Sequence, residues 1–353
     1  MVLVTEGLED GPTSKRELKE PAKIKKNHIL IVIFWILYLC LFIAQEIGAA
    51  VGSFLWGLTF RREPKSLKGK VCLVTGAGRG LGREFCLALA KEGAVIACFD
   101  INEPNNKTTA TMIMEMGAKA VPYTVNVAIK KDLDHLVCQV EKDLGPIYLL
   151  INNAAIVGNV FGIQEDFIRA SFNTNVFGPT WLINAVLPSM KLRNEGHIVN
   201  ISSSASKMVM SPIMIYGATK TALAYIGNCI RAELQLENED NNIVVTNVHP
   251  SIINTSEDYT SSAHLNLNIV VEMSHVVEAT MKAIHYNYDE VLVPSIMKYP
   301  LLLVNELMPS KTTTKLLKLF VKKIIIPTPE QYKNLPWHDL VKESCLMEKQ
   351  DDK

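Results

Sequence analysis

The sequence contains 353 residues, more than one average domain, with 48% hydrophobic residues, 20% charged residues and no net charge. This composition is globular, and the charge balance argues against a nucleic-acid-binding protein. The seven cysteines never occur in CxxC spacing, and no cluster of histidine, cysteine or acidic residues has ligand spacing. We therefore expect neither a disulfide framework nor a metal site, and one α/β domain with appended segments fits the length.

The N-terminal segment has two parts. Residues 1–27 are polar and rich in lysine, which predicts a flexible tail. Residues 28–60 carry Glu46 as their single formal charge and predict a membrane anchor. The first uninterrupted apolar run, Ile29 to Ala44, would extend only about 24 Å as a helix, less than the roughly 30 Å of a hydrocarbon core. Basic residues flank both sides, which favours a hairpin with both ends in the cytosol over the alternative of a single span.

Seven short apolar runs follow, and helix-length segments separate most of them. They read "KVCLVTG", "AVIACFD", "AKAVPYTVNV", "IYLLINNA", "GHIVNIS", "IVVTNVHP" and "EVLVPS". Buried strands that alternate with helices predict a Rossmann-type, doubly wound parallel sheet with right-handed crossovers. We therefore expect a single catalytic domain of the α/β class over residues 65–296.

The C-terminal extension, residues 297–341, contains a basic amphipathic pattern. Its apolar residues share one helical face while lysines occupy the rest, and the apolar set is Leu316, Leu317, Phe320, Val321 and Ile324. The pattern predicts a helix that lies either on an anionic membrane surface or on the domain's own core. Residues 342–353 predict a polar, frayed tail.

A glycine-rich turn connects the first predicted strand to a helical stretch. Its residues are Thr75, Gly76, Ala77, Gly78, Arg79, Gly80, Leu81 and Gly82. Strand, glycine turn and helix start stand in the order that brings backbone N–H groups to a pyrophosphate. Asp100 ends the next predicted strand, where an acidic side chain can bind the adenosine ribose. The turn and Asp100 together predict a dinucleotide-binding site.

Polar residues mark the ends of later predicted strands. Asn152 and Asn153 follow one strand, where side-chain amides can tie neighbouring strand ends together. Ser203 ends another strand, and Tyr216 and Lys220 stand four residues apart on a predicted helix, so both emerge on one face. Tyrosine has a pKa of about 10, so proton transfer near pH 7 requires roughly 4 kcal/mol of phenolate stabilisation. The Lys220 ammonium and a positive nicotinamide can supply it.

In order and spacing, the glycine turn, "NNA" at 152–154, Ser203 and the Tyr216–Lys220 pair resemble the short-chain dehydrogenase/reductase family over roughly residues 68 to 296. The resemblance implies a Rossmann domain with Tyr216 as the acid/base. It implies that Lys220 lowers the pKa of Tyr216 and holds the nicotinamide ribose, while Ser203 binds the substrate oxygen. Asn175, in "SFNTNVFG", matches the family's asparagine that holds the proton-relay water.

The same resemblance implies further cofactor contacts at Asn126, Asn153, Ala154 and Pro250. Three positions depart from the family's pattern: Ala155 replaces the glycine of "NNAG", Asn126 replaces an acid near the adenine, and Ser251 replaces the glycine of "PG". None of these departures removes a proton-transfer group. For His249, which precedes Pro250, we expect a structural role rather than a ligand contact.

Two residues give opposite indications about the cofactor. The Asp100 carboxylate can accept hydrogen bonds from ribose hydroxyls and repels a 2′-phosphate, whereas Arg79 can pair with that phosphate. We expect a preference for NAD, with NADP as the alternative, because the hydrogen bonds of Asp100 exist only with the unphosphorylated ribose.

The hydrophobic N-terminus and the extended C-terminus resemble the membrane-bound branch of the family, which acts on retinoids, hydroxysteroids and other lipids. We therefore expect an oxidoreductase that interconverts an alcohol and a carbonyl on a lipophilic substrate. It would be attached to the endoplasmic reticulum membrane or a lipid droplet, with the catalytic domain in the cytosol. The resemblance also implies a homodimer through the helices that carry Asn175 and Tyr216. Two alternatives are a microsomal 3-oxoacyl-CoA reductase and a non-catalytic nucleotide-binding scaffold.

Overall fold

A computed structural model describes residues 63–157, 165–208, 213–253, 264–265, 270–295 and 321–323, and eight positions between 34 and 48. The chain divides into two compact units, Met1–Glu63 and Pro64–Lys353. The eight described positions between 34 and 48 are helical and exposed. Among the described residues, no helix has the length and apolar character needed to cross a bilayer. The predicted tails at 1–27 and 342–353 and most of the predicted anchor lie outside the described residues.

The second unit is built on a seven-stranded sheet in which every pairing is parallel. In chain order, its strands are β1 (Val71–Thr75), β2 (Val95–Asp100), β3 (Ala120–Thr124), β4 (Ile147–Asn152), β5 (Gly196–Ile201), β6 (Ile243–Pro250) and β8 (Glu290–Val293). They lie side by side in the order β3-β2-β1-β4-β5-β6-β8. The order reverses between β1 and β4, which is the point where ligands bind to open α/β sheets. The predicted doubly wound sheet is confirmed.

Helices connect the strands and cover both faces of the sheet. They are α1 (Gly80–Lys91), α2 (Glu103–Glu115), α3 (Lys130–Leu144), α4 (Glu165–Phe172), α5 (Gly178–Arg193), α6 (Met214–Glu237) and α7 (Met273–Tyr286). A π-helix at Asn173–Phe177 joins α4 to α5, and a 3₁₀ turn at Ser204–Ser206 follows β5. Because parallel strands all end at the same edge, the loops after β1, β2, β4, β5 and β6 meet there.

Alternating side chains of the strands feed two apolar cores. On one face, Cys72 and Val74 of β1 pack with Phe85 of α1 and residues of α7. On the other face, Leu73 of β1 packs with residues of α3 and α5 such as Val137. Strands buried on both faces explain why the predicted runs are apolar throughout rather than alternating.

A short antiparallel pair lies outside this sheet. It consists of β7 (His264–Leu265) and β9 (Val321–Lys323). The amphipathic pattern predicts a helix through Val321, so this prediction is wrong at residues 321–323; the rest of the pattern lies outside the described residues. The "FVKKIII" sequence explains the difference, because β-branched residues favour strands and the partner strand supplies backbone hydrogen bonds.

Candidate active site

The turn between β1 and α1 has the shape that a dinucleotide site requires. Gly80 has φ +54°, and a Cβ atom there would meet nothing within 4 Å, so the backbone is open to a ligand. A Cβ on Gly82 would lie 1.9 Å from the carbonyl oxygen of Gly76, so only glycine lets helix and strand pack this closely. The first amides of α1 therefore face an open cradle, which fits the pyrophosphate of NAD or NADP.

The two residues on either side of Gly80 differ in exposure. Arg79 is the exposed N-cap residue of α1 and makes no side-chain cap, whereas Leu81 begins the buried face of the helix. Arg83, one turn later, was not singled out from the sequence. Its Nε donates to Thr109 Oγ1 at 2.9 Å, and its guanidinium also donates to the carbonyl of Gly78. Arg83 thus fixes the glycine turn from the inside.

Asp100 at the end of β2 lies against the same turn. Its Oδ2 accepts the Gly78 N–H at 2.7 Å and its Oδ1 accepts the Asn102 N–H at 2.8 Å. A Cβ on Gly78 would lie 2.9 Å from Asp100 Oδ2, so a side chain there would displace the carboxylate. Each carboxylate oxygen keeps a second lone pair, which leaves the group able to accept hydrogen bonds from a ribose. At the end of β3, Asn126 Oδ1 accepts the Ala128 N–H at 3.0 Å.

The asparagines at the end of β4 tie strand ends together, as predicted. Asn152 Nδ2 donates to Asn200 Oδ1 on β5 at 3.0 Å, and Asn153 Nδ2 donates to the carbonyl of Thr75 on β1 at 2.8 Å. The Thr75 hydroxyl in turn accepts the backbone N–H groups of Asn153 and Ala154. Thr75 was not singled out from the sequence, although its position at the end of the first strand marks it.

Asn175 lies in the π-helix and is fully buried. Its Oδ1 accepts the Ile156 N–H at 2.8 Å, and its Nδ2 donates to the Ile156 carbonyl and to Thr219 Oγ1. Thr219 Oγ1 donates to the carbonyl of Tyr216 at 2.8 Å. A continuous set of hydrogen bonds therefore joins the exit of β4, through Asn175, to the helix that carries Tyr216.

Tyr216 and Lys220 occupy one face of α6, as their spacing predicts. Lys220 Nζ lies 5.6 Å from the centre of the Tyr216 ring and donates to the carbonyl of Ile201 at 2.7 Å. Ser202 Oγ donates to the Lys220 carbonyl, so the end of β5 and α6 are bonded in both directions. Ser203 follows directly, and its Oγ accepts the Ala205 N–H at 3.1 Å. The structure thus places Tyr216 and Lys220 beside the strand end that carries Ser203.

Lys220 is 1% exposed, and burial lowers its pKa from 10.5 to about 7. A buried ammonium has lost its hydration, and one carbonyl oxygen replaces only part of it. The charge of Lys220 is therefore poised to change near neutral pH.

Pro250, the last residue of β6, reaches the same edge of the sheet, where the Ser251 N–H bonds to the Val293 carbonyl of β8 at 2.8 Å.

The profile of the short chain dehydrogenase family matches residues 70–283 of this chain. Estradiol 17-beta-dehydrogenase 11 of Rattus norvegicus is 29% identical over 262 residues, 74% of this chain and 87% of that protein. Epidermal retinol dehydrogenase 2 of Homo sapiens is 32% identical over 274 residues, 75% and 88% of the two chains. The 17-beta-hydroxysteroid dehydrogenase 13 of Homo sapiens is 29% identical over 233 residues, 65% and 77% of the two chains.

Two solved structures share the fold. A short chain dehydrogenase/reductase from Burkholderia phymatum in complex with NAD has a TM-score of 0.61 at 20% identity and covers 75% of this chain and 99% of its own. A metagenomic short-chain oxidoreductase in complex with NADP has a TM-score of 0.55 at 23% identity, covering 65% and 98%.

Proposed function

The chain belongs to the short-chain dehydrogenase family of NAD(P)-dependent oxidoreductases that act on CH–OH groups, and from that membership we propose that it interconverts an alcohol and a carbonyl on a lipophilic substrate. One observation carries the proposal: Tyr216 and Lys220 share a face of α6 beside the strand end that bears Ser203. A phenol, an ammonium and a hydroxyl at one edge are the groups that alcohol oxidation needs for proton transfer.

When bound, the nicotinamide cofactor supplies the hydride acceptor or donor. The open backbone at Gly80 and the first turn of α1 would hold its pyrophosphate, and Asp100 would accept hydrogen bonds from its ribose. Asn126, Asn153, Ala154 and Pro250 stand at ends of strands on the same edge of the sheet. By family resemblance they would complete the cofactor contacts.

The chain's own residues move the proton. The Tyr216 phenolate accepts the proton of the substrate alcohol during oxidation, and the Tyr216 phenol donates a proton to the carbonyl oxygen during reduction. A protonated Lys220 near the ring stabilises the phenolate. Because burial lowers the pKa of Lys220 to about 7, the negative charge of a nearby phenolate favours the protonated form of the lysine. Ser203 donates a hydrogen bond to the substrate oxygen. Asn175 holds the exit of β4 against α6 and, by family resemblance, the water through which the proton leaves.

The substrate class rests on the relatives and on the N-terminal sequence. Three relatives carry names of enzymes for estradiol, 17-beta-hydroxysteroids and retinol, all apolar molecules with one alcohol or carbonyl at the reacting carbon. Residues 28–60 contain a single formal charge, which supports attachment to a bilayer or lipid-droplet surface where such substrates concentrate. We place the protein on the endoplasmic reticulum membrane or lipid droplets with its catalytic domain in the cytosol.

For the cofactor we propose NAD over NADP. Asp100 lies against the glycine turn through its bond to Gly78, where its charge would oppose a 2′-phosphate. Arg79 is exposed and can turn away into solvent.

For the assembly we propose a homodimer through α5 and α6. Tyr225 on α6 is 69% exposed and Phe177 before α5 is 45% exposed, and the Phe177 ring stacks on Trp181. Exposed aromatic residues on two adjacent helices are typical of an interface.

A cofactor-reduction screen tests the function. Purified protein in liposomes is incubated with NAD or NADP and with retinol, estradiol and fatty alcohols. A parallel reaction contains NADH or NADPH and a 3-oxoacyl-CoA, and Tyr216→Phe serves as the inactive match in both. Turnover of a retinoid, steroid or fatty alcohol that Tyr216→Phe abolishes supports the proposal. Turnover of 3-oxoacyl-CoA alone would favour an acyl-CoA reductase, and cofactor binding without any turnover would favour a scaffold.

A further inference from the structure

Ser206 and His249 both lie against the carbonyl oxygen of Ser203. This oxygen accepts the Ser206 N–H at 2.9 Å and the Ser206 hydroxyl at 2.6 Å, and Nδ1 of His249 lies 3.3 Å away. Nδ1 of His249 also lies 2.8 Å from Ser206 Oγ. The peptide that follows Ser203 is therefore held from two sides, by its own 3₁₀ turn and by an imidazole from β6.

His249 bridges this turn to β8. Its side chain is 2% exposed, and its second nitrogen, Nε2, lies 2.6 Å from Glu290 Oε2. Asn247 and Glu290 are paired residues of β6 and β8, and His249 stands two positions after Asn247, so both β6 side chains lie on the face that Glu290 reaches. One carboxylate thus orients the ring that contacts the Ser203 turn.

Glu290 is held in its ionised form. Burial alone would raise its pKa, but hydrogen bonds from His249 and Asn247, with the charges of His249 and Lys207, lower the pKa to about 2. Asn247 Nδ2 donates to Oε1 at 2.9 Å, Lys207 Nζ lies 3.4 Å from Oε2, and Arg231 Nη2 lies 3.6 Å from Oε1. A carboxylate anchored on several sides gives the imidazole one fixed direction.

Serine, histidine and carboxylate in a row also occur in hydrolases, but the described groups that acyl transfer would use are already bonded within this turn. The Ser206 hydroxyl already donates to the Ser203 carbonyl. The backbone N–H groups of Ser206 and Lys207 are bonded to the carbonyls of Ser203 and Ser204, so neither is available to an oxyanion. The ring therefore acts on the turn and not on a bound ester.

We propose that His249 and Glu290 are positioning residues for Ser203: Glu290 orients the imidazole, and its Nδ1 fixes the 203–206 turn that aims the Ser203 hydroxyl. This inference rests on the proposed function, in which Ser203 binds the substrate oxygen. Freeing the turn lets the Ser203 hydroxyl point away from the substrate, which slows the chemical step but leaves the glycine turn and the cofactor untouched.

Two substitutions of His249 test the contacts of its two ring nitrogens separately. Asparagine places its amide close to the site of Nδ1, where it can donate to or accept from the turn, whereas glutamine places its amide nitrogen close to the site of Nε2 and keeps the contact with Glu290. We expect His249→Gln to lower kcat about tenfold or more, with the dissociation constant of NADH unchanged. His249→Asn should retain kcat within about threefold. Equal losses in both variants would overturn the proposal.

His285, near the end of α7, offers a matched control outside the proposed site. Its ring makes the same two kinds of contact, Nδ1 to the Lys65 carbonyl at 2.8 Å and Nε2 to Glu92 at 2.9 Å. His285→Gln should change kcat less than about twofold, although it removes a comparable bridge. A kcat loss at His285 as large as that at His249 would mean that general loosening of the domain explains both.

A double-mutant cycle tests whether His249 acts through Ser203. In a Ser203→Ala background, His249→Gln should lower the remaining kcat by less than about twofold, because the group it positions is gone. Independent, multiplicative losses would overturn the proposal.

Should the wild type turn over no alcohol in the screen, the proposed function fails, and hydrogen exchange then decides the positioning role. Amides of the 202–208 peptide should exchange about tenfold faster in His249→Gln than in the wild type or His249→Asn, and unchanged exchange would overturn it.

Discussion

Replacing the buried Lys220 by methionine tests how the active site holds its charge. Lys220 is 1% exposed, and its ammonium has the Ile201 carbonyl as its hydrogen-bond partner at 2.7 Å. Methionine has a similar length and no charge, so it fills the same space. We expect the substitution to abolish turnover and, near neutral pH, to stabilise the fold.

The magnitude follows from the pKa of Lys220. The unfolded chain keeps the lysine proton up to about pH 10.5, whereas burial lowers the folded pKa to about 7. Folding with a protonated Lys220 therefore costs free energy in full below pH 7, and the cost disappears as the pH rises to 10.5. It amounts to roughly 5 kcal/mol below pH 7. Loss of the hydrogen bond to Ile201 destabilises Lys220→Met by about 1 to 2 kcal/mol. Taken together, Lys220→Met should be more stable than the wild type by about 3 kcal/mol at pH 6.

The assay is urea unfolding of the cofactor-free protein and of Lys220→Met at several pH values. The advantage of Lys220→Met should shrink by about 4 kcal/mol between pH 6 and pH 10 and end near or below zero. Glutamine at the same position, which keeps a hydrogen-bond donor, should show the same pH trend. A difference that is constant across this range would refute the reasoning, because it would mean that the buried amine carries no proton-linked cost.

Three other perturbations have defined outcomes. Burial, with a smaller effect from the charge of Lys65, lowers the pKa of His197 to about 3. Below pH 6.5 the unfolded chain therefore binds a proton that the folded chain does not bind. The wild type should lose about 2 kcal/mol of stability at pH 5, and His197→Gln should not show this loss. Equal losses in urea unfolding of both proteins would contradict this. Asp100→Ala should move the kcat/KM ratio toward NADP by one to two orders of magnitude, about 1.4 to 2.8 kcal/mol, and Asp100→Asn, which keeps an acceptor for Gly78, isolates the charge. A wild type that already favours NADP about tenfold would contradict the assignment to Asp100. Deletion of residues 28–60 should release the protein from carbonate-washed membranes, and a truncated chain that stays in the pellet would exclude this segment as the main anchor.

The sheet could be predicted because each of its strands is encoded by a short, continuous apolar run of the sequence. All seven apolar runs form the strands β1 to β6 and β8, since a buried parallel strand has a continuous apolar sequence that turn residues interrupt. Tyr216 and Lys220 were predictable for a similar reason, because four residues on a helix make one turn. The β7–β9 pair was not predictable, because strand pairing between residues 264 and 323 depends on a distant partner, which the amphipathic pattern around Val321 does not record.

The interior connections of the site were predictable only in part. The asparagines at the end of β4 suggested that amide side chains tie strands together, and Asn152 and Asn153 do so. The partnership between His249 and Glu290 joins residues 41 positions apart, and neither residue lies in a motif. Such a pair becomes visible only when the strand order and register are known.

The most direct test of the central claim is the effect of Tyr216→Phe on turnover and on cofactor binding, measured on the same preparation. The substitution removes the transferable proton and leaves Lys220 and the glycine turn in place. Loss of a positioned acid/base costs about 10²- to 10⁴-fold in rate, so kcat should fall below about 1% of wild type while the dissociation constant of NADH changes less than about threefold. Retention of more than a few per cent of the wild-type kcat would contradict the assignment of Tyr216 as the proton-transfer group.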